Sequence, residues 1–455
     1  MARAADPVRA RAAATWIVRR LRDSGHTAYF AGGCVRDGLL GLHPTDYDVA
    51  TDATPVRVRS LFNRTAEVGA AFGVVLVTAT PSDLAAHDPG AGHGGGSVTV
   101  EVATFRADGP YTDARRPDRV TFSDPRSDAE RRDFTINALF LDPLAPPEAG
   151  APGVSAPGAP DVQGRIIDYV GGVEDLSRRV VRAVGDPDKR LAEDHLRALR
   201  AVRFAARLGF EIDPSTAAAI SRHAASLRGV SRERIGDEVR RMLAHPARAA
   251  AITTLQNLGL DAPVLREPHA CPSLRLLGAL PAHAALATAL AAWALDRVGD
   301  GDGQQSESDP IRISSQQARE TARRYREGLC LSNEETDALR ETLSMAADLS
   351  GPWSKWAIAA QKRLFSKSMF DNSLQIVRAA SPSAAAGVMD CVRRFEGDGI
   401  GICPDPLLTG DHLVLSGFTP SPRFKGILDA VYDAQLEGRV QSLDQAMELA
   451  RTMNV

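Results

Sequence analysis

Three acidic residues have the spacing and surroundings that a metal-dependent reaction needs. Asp46 and Asp48 lie two positions apart in HPTDYD, so in an extended strand both carboxylates project from the same face. Two adjacent carboxylates repel each other unless a cation lies between them, and such oxygen ligands suit Mg²⁺ bound together with substrate phosphates. An Asx-rich turn is the alternative. Glu101 is the third candidate, because Val100 and Val102 beside it in VTVEVATF would face apolar packing on the opposite side.

A pair of glycines precedes these acids. Gly32 and Gly33 lie between a strand-like run and the helix-like VRDGLLG. Glycines at such a junction let backbone N–H groups approach an anion, and the start of a helix favours negative charge. The pattern predicts a phosphate contact with Arg36 close by. A plain tight turn and an ordinary surface arginine are the alternatives.

A second group of charged residues has the spacing of a helix face. In EDHLRALRAVRF, Asp194, Arg197 and Arg200 are three residues apart, so on one helix they share a face. A carboxylate accepts a hydrogen bond from the exocyclic amine of cytosine or adenine, and an arginine donates to the adjacent ring nitrogen. Uracil and guanine present the reverse pattern. The group therefore predicts a protein template that accepts C and A; a surface ion pair is the alternative.

The surrounding sequence indicates the elements that hold these residues. VVLVTAT and VTVEVATF have the alternation of adjacent strands, with a long connection between them. Three segments rich in Gly, Pro and Ser are predicted loops, at residues 81–97, 143–160 and 299–310. From Leu176 onward the apolar period becomes helical. The predicted fold class is α+β, a mixed head followed by a helical body.

Composition limits the possible partners and the compartment. The 455 residues suggest about three domains, and 54 basic against 57 acidic residues leave a net charge of -3. Any nucleic-acid site must therefore be a local patch. The five cysteines are too dispersed for a zinc cluster or a disulfide framework, which favours the reducing cytoplasm. The longest apolar stretch, residues 276–295, contains Pro281 and His283, so a buried helix pair is predicted instead of a membrane span.

Five motifs, in one order along the chain, resemble a known family. They are GGCVRD…DYD, EVATFRADGPYTDARRPDRVTF, RRDFTINAL, IIDYVGGVEDL and RAVGDPDKRLAEDHLRALRAVRFAARLGFEID. The sequence resembles the class II tRNA nucleotidyltransferases, which include the CCA-adding enzymes, and their relatives the bacterial poly(A) polymerases. The resemblance implies a polymerase beta-like nucleotidyltransferase head with a mixed sheet over residues 1–165, then all-helical segments. These are a neck with the nucleotide-selecting helix over 166–235, a body over 236–345 and a tRNA-binding tail over 346–455.

The resemblance also implies roles for individual residues. Asp46, Asp48 and Glu101 are the expected catalytic acids, and Asp46 and Asp48 the expected ligands of Mg²⁺. The expected nucleotide-binding residues are Gly33, Arg36, Arg132, Asp133, Asn137, Asp194, Arg197, Arg200 and Arg203. For Asp133 the alternative is the cap of a solvated helix start. Arg203 matches the family pattern, although one further helical step takes it opposite Asp194.

The implied activity is template-independent addition of C, C and A to the 3′ end of tRNA from CTP and ATP, with release of pyrophosphate. We expect a cytoplasmic enzyme without a membrane or protein partner. A poly(A) polymerase, an enzyme that adds only part of the sequence, and a non-catalytic RNA-binding protein are the alternatives. VGAAFGVVLV and the complete loop after Phe105 favour full CCA addition. His87-Asp88 lacks the downstream ligands of the phosphohydrolase domain that some relatives carry, so that activity is not expected. The glycines of IIDYVGG suit a hinge or a plain turn.

Overall fold

The computed structural model describes residues 6–67, 73–85, 95–109, 120–146, 163–299 and 311–453. The chain divides into two compact units, one of Met1–Arg234 with Asn257–Pro263 and the other of Ile235–Gln256 with Val264–Val455. Every strand of the described residues belongs to the first unit, and the second is helical. The predicted α+β head and a mostly helical remainder are confirmed. The predicted neck over residues 166–235 is not all-helical, because Val180–Val181 and Glu211–Ile212 pair as two short parallel strands. The four domain limits inferred from the resemblance stay predictions.

A mixed sheet of seven strands forms the centre of the first unit. The strands in chain order are β1 (Ala28–Ala31), β2 (Asp48–Thr51), β3 (Thr65–Glu67), β4 (Val74–Ala79), β5 (Val98–Thr104), β6 (Arg106–Asp108), β7 (Val120–Phe122), β8 (Phe140–Asp142), β9 (Arg165–Ile167), β10 (Val180–Val181) and β11 (Glu211–Ile212). The sheet order is β3-β4-β5-β2-β1-β8-β9, while β6 pairs with β7 and β10 with β11. Among the described residues of this sheet, β2 and β5 form the one parallel pair.

The first unit also contains most of the short helices that surround the sheet. They are α1 (Pro7–Asp23), α2 (Gly33–Leu39), α3 (Pro55–Leu61), α4 (Pro81–Ala85), α5 (Pro125–Glu130), α6 (Gly172–Ser177), α7 (Pro187–Glu193), α8 (Arg197–Leu208) and α9 (Pro214–His223). Helix α1 buries Ala13, Ile17 and Leu21, one apolar stripe, in the core. Helices α5 and α7 begin with proline and are capped by Asp124 and Asp186, whose carboxylates accept backbone N–H groups.

The connection between β4 and β5 is partly helical. These strands pair antiparallel, which confirms that the two β-branched runs are neighbours. The predicted loop over residues 81–97 is wrong for its first part, since α4 occupies Pro81–Ala85. The physical reason is a local cap: the Asp83 carboxylate accepts hydrogen bonds from the N–H and hydroxyl of Thr80. Residues 86–94, with His87-Asp88, lie outside the described residues, as do most of 143–160 and 299–310.

The turn before α6 is tightly hydrogen-bonded. The carboxylate of Asp168 accepts the N–H groups of Val170, Gly171 and Val173 at 2.9–3.0 Å. Gly171 has φ 82°, a left-handed conformation that favours glycine. The plain-turn interpretation of IIDYVGG describes this structure.

Helices α10 (Arg232–Leu243), α11 (Arg248–Asn257) and α12 (Asp261–Leu265) are each divided between the two units. The second unit continues with α13 (Arg275–Ala279), α14 (Leu286–Gly299), α15 (Ser315–Leu329), α16 (Asn333–Ser350), α17 (Ile358–Phe365), α18 (Phe370–Ala380), α19 (Pro382–Glu396), α20 (Gly410–Leu415), α21 (Arg423–Leu436) and α22 (Leu443–Met453). The predicted helix pair in residues 276–295 is present as α13 and α14. Phe424 packs against the apolar cluster formed around α20, α21 and α22. No helix in the described part of the chain is long and apolar enough to cross a membrane.

Candidate active site

A polar cavity of about 500 Å³ lies in the first unit. Its lining contains all nine predicted nucleotide-binding residues and one of the three predicted catalytic acids, Asp48. The complete lining is Gly32, Gly33, Arg36, Asp48, Arg131, Arg132, Asp133, Asn137, Asp194, Arg197, Arg200, Arg203 and Phe204. The start of β2, helix α2, the RRDF segment and helix α8 therefore supply one site, although they are distant in sequence.

The acids are arranged by the start of β2. Strand β2 begins at Asp48, so the expectation that Asp46 and Asp48 share a regular strand is wrong. Their exposure nevertheless alternates as in an extended chain: both acids are exposed, while Tyr47 between them packs on Phe30 with ring centroids 5.2 Å apart. That aromatic contact turns both carboxylates to the opposite side.

Glu101 joins this group from the neighbouring strand. Val49 lies opposite Val102 in the parallel pairing of β2 with β5, so Asp48 and Glu101 precede partners on adjacent strands and project from one face. Glu101 is exposed between buried Val100 and Val102, as predicted.

The electrostatics of Asp48 show that the acids share one region of negative potential. Partial removal of the Asp48 carboxylate from water and the negative charges of Glu101 and Asp46 together raise its pKa to about 6, against the opposing positive charge of Arg132. Within the residues described, no three His, Cys, Asp or Glu side chains are placed to hold a metal ion by themselves. The donor set fits a cation bound by one or two carboxylates together with substrate phosphates.

The glycine pair is held by close contact. Gly32 has φ 71°, and a Cβ there would lie 2.9 Å from Nη1 of Arg132. Both the conformation and the space therefore require glycine. Gly33 begins α2, which brings Arg36 into the cavity wall, where its side chain is 3% exposed. Arg36 donates to the carboxylate of Asp37 and to the amide oxygen of Asn137, so it is a buried, paired cation instead of an ordinary surface arginine.

Asp133 is tied to α8. One carboxylate oxygen accepts the N–H of Phe134 at 2.8 Å and the amide of Asn137 at 3.1 Å, and the other accepts Nε of Arg200 at 2.8 Å. Burial acts to raise the pKa of Asp133, but the charge of Arg200 and these hydrogen bonds lower it below the ordinary value. Its carboxylate is 11% exposed and makes an ion pair, so the solvated-cap interpretation does not describe it.

The expectation that Asp194 shares a helix with Arg197 and Arg200 is wrong. Helix α7 ends at Glu193, and α8 begins at Arg197. Asp194 is extended between them, with φ -152° and ψ 104°. The break arises because its carboxylate accepts the N–H of Leu196 at 3.1 Å and its carbonyl accepts that of Arg197 at 3.0 Å, as a helix cap does.

This break changes which side chains meet. Asp194, released from the helical phase, still lines the cavity, and so does Arg203, which an unbroken helix would have placed opposite it. The free carboxylate oxygen of Asp194 accepts Nη2 of Arg234 at 2.6 Å. Arg197 donates to the carboxylate of Glu193 and to the carbonyl of Arg190. Both members of the predicted template are thus paired with protein groups.

Sequence reasoning missed four residues in or beside the cavity: Arg131, Phe204, Arg234 and Asp128. Arg131 and Phe204 are adjacent to predicted residues. Asp128 precedes Arg131 and Arg132 by three and four positions, a spacing that pairs charges on a helix and is readable without a structure. Arg234 carries no comparable signal, because it is 40 positions from Asp194.

Comparisons with known proteins identify relatives of this chain. Residues 28–182 match the family model of the poly A polymerase head domain, and residues 209–271 match the probable RNA and SrmB- binding site of polymerase A. A CCA-adding enzyme of Levilactobacillus brevis is 31% identical over 442 residues, which are 96% of each chain. A CCA-adding enzyme of Limosilactobacillus fermentum is 40% identical over 228 residues, and the matched part spans about half the length of that relative.

Solved structures are similar along almost the whole chain. The crystal structure of the Bacillus stearothermophilus CCA-adding enzyme in complex with CTP has a TM-score of 0.69 and 28% identity, and covers 98% of each chain. The Thermotoga maritima CCA-adding enzyme complexed with tRNA has a TM-score of 0.59 at 16% identity, covers 96% of this chain and 94% of its own, and shares the fold. On the near-complete match to a 31% identical relative, this chain belongs to the CCA-adding enzymes, a family of nucleotidyltransferases.

Proposed function

We propose that this protein adds C, C and A to the 3′ end of tRNA from CTP and ATP and releases pyrophosphate. The observation that carries the proposal is one cavity in which Asp48, several arginines and the Asp194/Arg197 pair meet. The named activity of the relatives and the 28% identical structure with CTP support the same reaction.

We assign the chemistry of nucleotide transfer to the three acids Asp46, Asp48 and Glu101. Asp46 and Asp48 would hold Mg²⁺, which lowers the pKa of an attacking hydroxyl and neutralises charge on a triphosphate. Glu101 adds negative charge beside Asp48, which strengthens the attraction for a divalent cation.

We assign binding of the incoming nucleotide to the arginines and to the groups that hold them. Arg36 and Arg132 both line the cavity, and their guanidinium groups suit phosphate oxygens. Both are held by protein acceptors, so their positions are largely set before the nucleotide arrives. Asp133 and Asn137, hydrogen-bonded to each other, offer polar atoms near the sugar, and Gly33 leaves room for phosphate.

We assign the choice of base to Asp194 and Arg197, with Arg200 and Arg203 adding positive charge along the wall. The pair already has protein partners, so binding of a base exchanges one set of hydrogen bonds for another. C and A present the matching donor and acceptor. U and G do not, and would leave a desolvated charge without a partner, which costs about 1–3 kcal/mol.

The compartment is a smaller part of the proposal. All five cysteines lie in the described part of the chain and none forms a disulfide, and two of them, Cys34 and Cys391, are buried. This use of cysteine supports action in the reducing cytoplasm.

The test uses a tRNA transcript that lacks its 3′ end, with each labelled nucleotide separately and all four together. We expect incorporation from CTP first, A only after two C residues, and no further growth, as read by sequencing the product ends. A transcript that already ends in CCA is the matched control and should remain unextended. Long ATP-dependent tails on a simple oligonucleotide would show a poly(A) polymerase instead, and A added solely to tRNA ending in CC would show a partial enzyme.

A further inference from the structure

A buried carboxylate outside the cavity grips two of the arginines that line it. Asp128, in α5, is 2% exposed. One of its oxygens accepts Nε and Nη2 of Arg131 at 3.0 and 2.6 Å, and the other accepts Nε and Nη2 of Arg132 at 3.1 and 2.9 Å. Each guanidinium thus presents two donors to one carboxylate oxygen, an arrangement that restricts its orientation.

The contact with Asp128 fixes one side of the Arg132 guanidinium group, the side that carries Nε and Nη2. Its remaining nitrogen, Nη1, donates to the carbonyl of Asn137 at 3.0 Å, and the guanidinium lies 5.0 Å from the centroid of the Phe140 ring. Backbone, ring and carboxylate therefore surround Arg132 on three sides. Of these, Asp128 alone carries a charge that matches it.

Asp128 also connects the arginines to β6. The same oxygen that binds Arg131 accepts the N–H of Arg106 at 3.3 Å, and Nε of Arg131 donates to the carbonyl of Arg106 at 3.2 Å. Burial acts to raise the pKa of Asp128, but the charges of Arg132 and Arg131 and their hydrogen bonds lower it below the ordinary value. The carboxylate is therefore ionised at neutral pH.

We propose that Asp128 is a positioning residue, which orients Arg132 toward the incoming nucleotide. The inference rests on the proposed role of Arg132 in nucleotide binding. Asp128 does not line the cavity, so we expect it to act through Arg132, which does. Its loss should therefore change the affinity for nucleotide through Arg132 and should matter little once Arg132 is removed.

The test is a double-mutant cycle on C addition to tRNA lacking its 3′ end, with KM for CTP and kcat measured separately. Asp128→Asn keeps the shape of the side chain but replaces one acceptor oxygen with a donor, so one arginine loses its pair. We expect KM to rise about tenfold, since one arginine loses both of its hydrogen bonds to the carboxylate, with a smaller change in kcat. In the Arg132→Ala background, the same substitution should change KM by less than about twofold.

Asp124→Asn is the matched control. Asp124 caps the same helix, α5, through the N–H groups of Arg126 and Ser127, and does not contact Arg131 or Arg132 in any hydrogen bond of the described residues. Asparagine caps a helix about as well as aspartate, so this variant removes a negative charge from the same helix, and it should leave α5 in place and KM unchanged. Asp128→Glu, which keeps the charge but displaces the carboxylate, provides a second variant if Asp128→Asn does not fold, and should also raise KM.

The outcomes separate the two levels of the proposal. If Arg132→Ala leaves KM for CTP unchanged, the proposed role of Arg132 is wrong. If Arg132→Ala raises KM but Asp128→Asn and Asp128→Glu do not, the positioning role is wrong while nucleotide binding by Arg132 stands. An equal effect of Asp128→Asn with and without Arg132, or an equal effect of Asp124→Asn, would show that Asp128 does not act through Arg132.

Discussion

Both units of the molecule contain partly or fully buried ion pairs, but the pairs have different surroundings. In the first unit, Asp128, Asp133 and Asp194 pair with arginines, and the arginine or the acid lines the polar cavity. In the second unit the corresponding pairs connect helices to one another or to the segments that follow them. They are Arg240 with Glu335, Arg297 with Glu267 and Lys362 with Asp398.

The difference teaches that an ion pair indicates a functional role only when one of its charged groups also faces a cavity. Lys362 is fully buried, and its ammonium group lies between the Asp398 carboxylate at 2.7 Å and the Phe395 ring, so its pairing stabilises the packing. Arg200 is held equally closely by Asp133, yet it still faces the cavity. A ligand can therefore use the second kind of charge without first separating it from its partner.

The largest effect on activity is expected from substitution of Asp46 or Asp48. Asp46→Ala or Asp48→Ala should reduce nucleotide incorporation by at least about a thousandfold, because each removes a proposed metal ligand. The melting temperature should hardly change, since both side chains are exposed and their mutual repulsion is relieved. Asp52→Ala, which removes an exposed acid directly after β2, is the control and should stay active. Near-normal incorporation by either variant with Mg²⁺ would contradict the two-carboxylate assignment.

A smaller change is expected for the choice of base. Asp194→Ala should lower the preference for C and A over U and G by about five- to a hundredfold, since a good base contact contributes roughly 1–3 kcal/mol. Competition between paired nucleotides measures this ratio directly. Asp188→Ala removes an acid that pairs with Arg222 outside the cavity lining and should leave the ratio intact. A fall in overall rate with unchanged selectivity would make Asp194 a structural residue.

The Lys362–Asp398 pair of the second unit should affect stability and leave the choice of base unchanged. Asp398→Ala leaves Lys362 buried without its carboxylate partner, which we expect to lower the free energy of unfolding by about 2 kcal/mol. Urea unfolding measures the loss. The ratio of C and A to U and G incorporation should remain that of the unmodified protein. A change in that ratio would mean that this pair affects the site after all.

The smallest expected effect is on the stability of the protein at low pH. The pKa of Asp133 is lower in the folded protein than its ordinary value, so its contribution to stability is complete above about pH 4 and is lost as pH falls through the folded value. Asp133→Asn removes this proton-linked contribution. Below about pH 4, stability of the variant should therefore fall less steeply, by at most about 1.4 kcal/mol per pH unit. Urea titrations at several pH values measure both slopes, and equal slopes would refute the expectation.

The sequence by itself determined the types of the elements and most members of the candidate site. Alternation in VVLVTAT and VTVEVATF predicted two adjacent strands, because side chains on a strand reach opposite faces at every step, and the structure pairs β4 with β5. The resemblance to a known family, carried by motifs along the chain, named all nine nucleotide-binding candidates that line the cavity. Such signals are local, and a local pattern is sufficient to read them.

Only the tertiary structure decided how those residues meet. A helical spacing of three residues placed Asp194 on one face with Arg197, whereas its own backbone hydrogen bonds end the helix before it and its carboxylate turns to Arg234. Glu101 reaches Asp48 only because β5 runs beside β2, more than 50 residues apart along the chain. Asp128 acquires its meaning from burial behind the two arginines. The contact with Arg234, the pairing of β2 with β5 and the burial of Asp128 depend on distant segments, and no short stretch of sequence specifies such contacts.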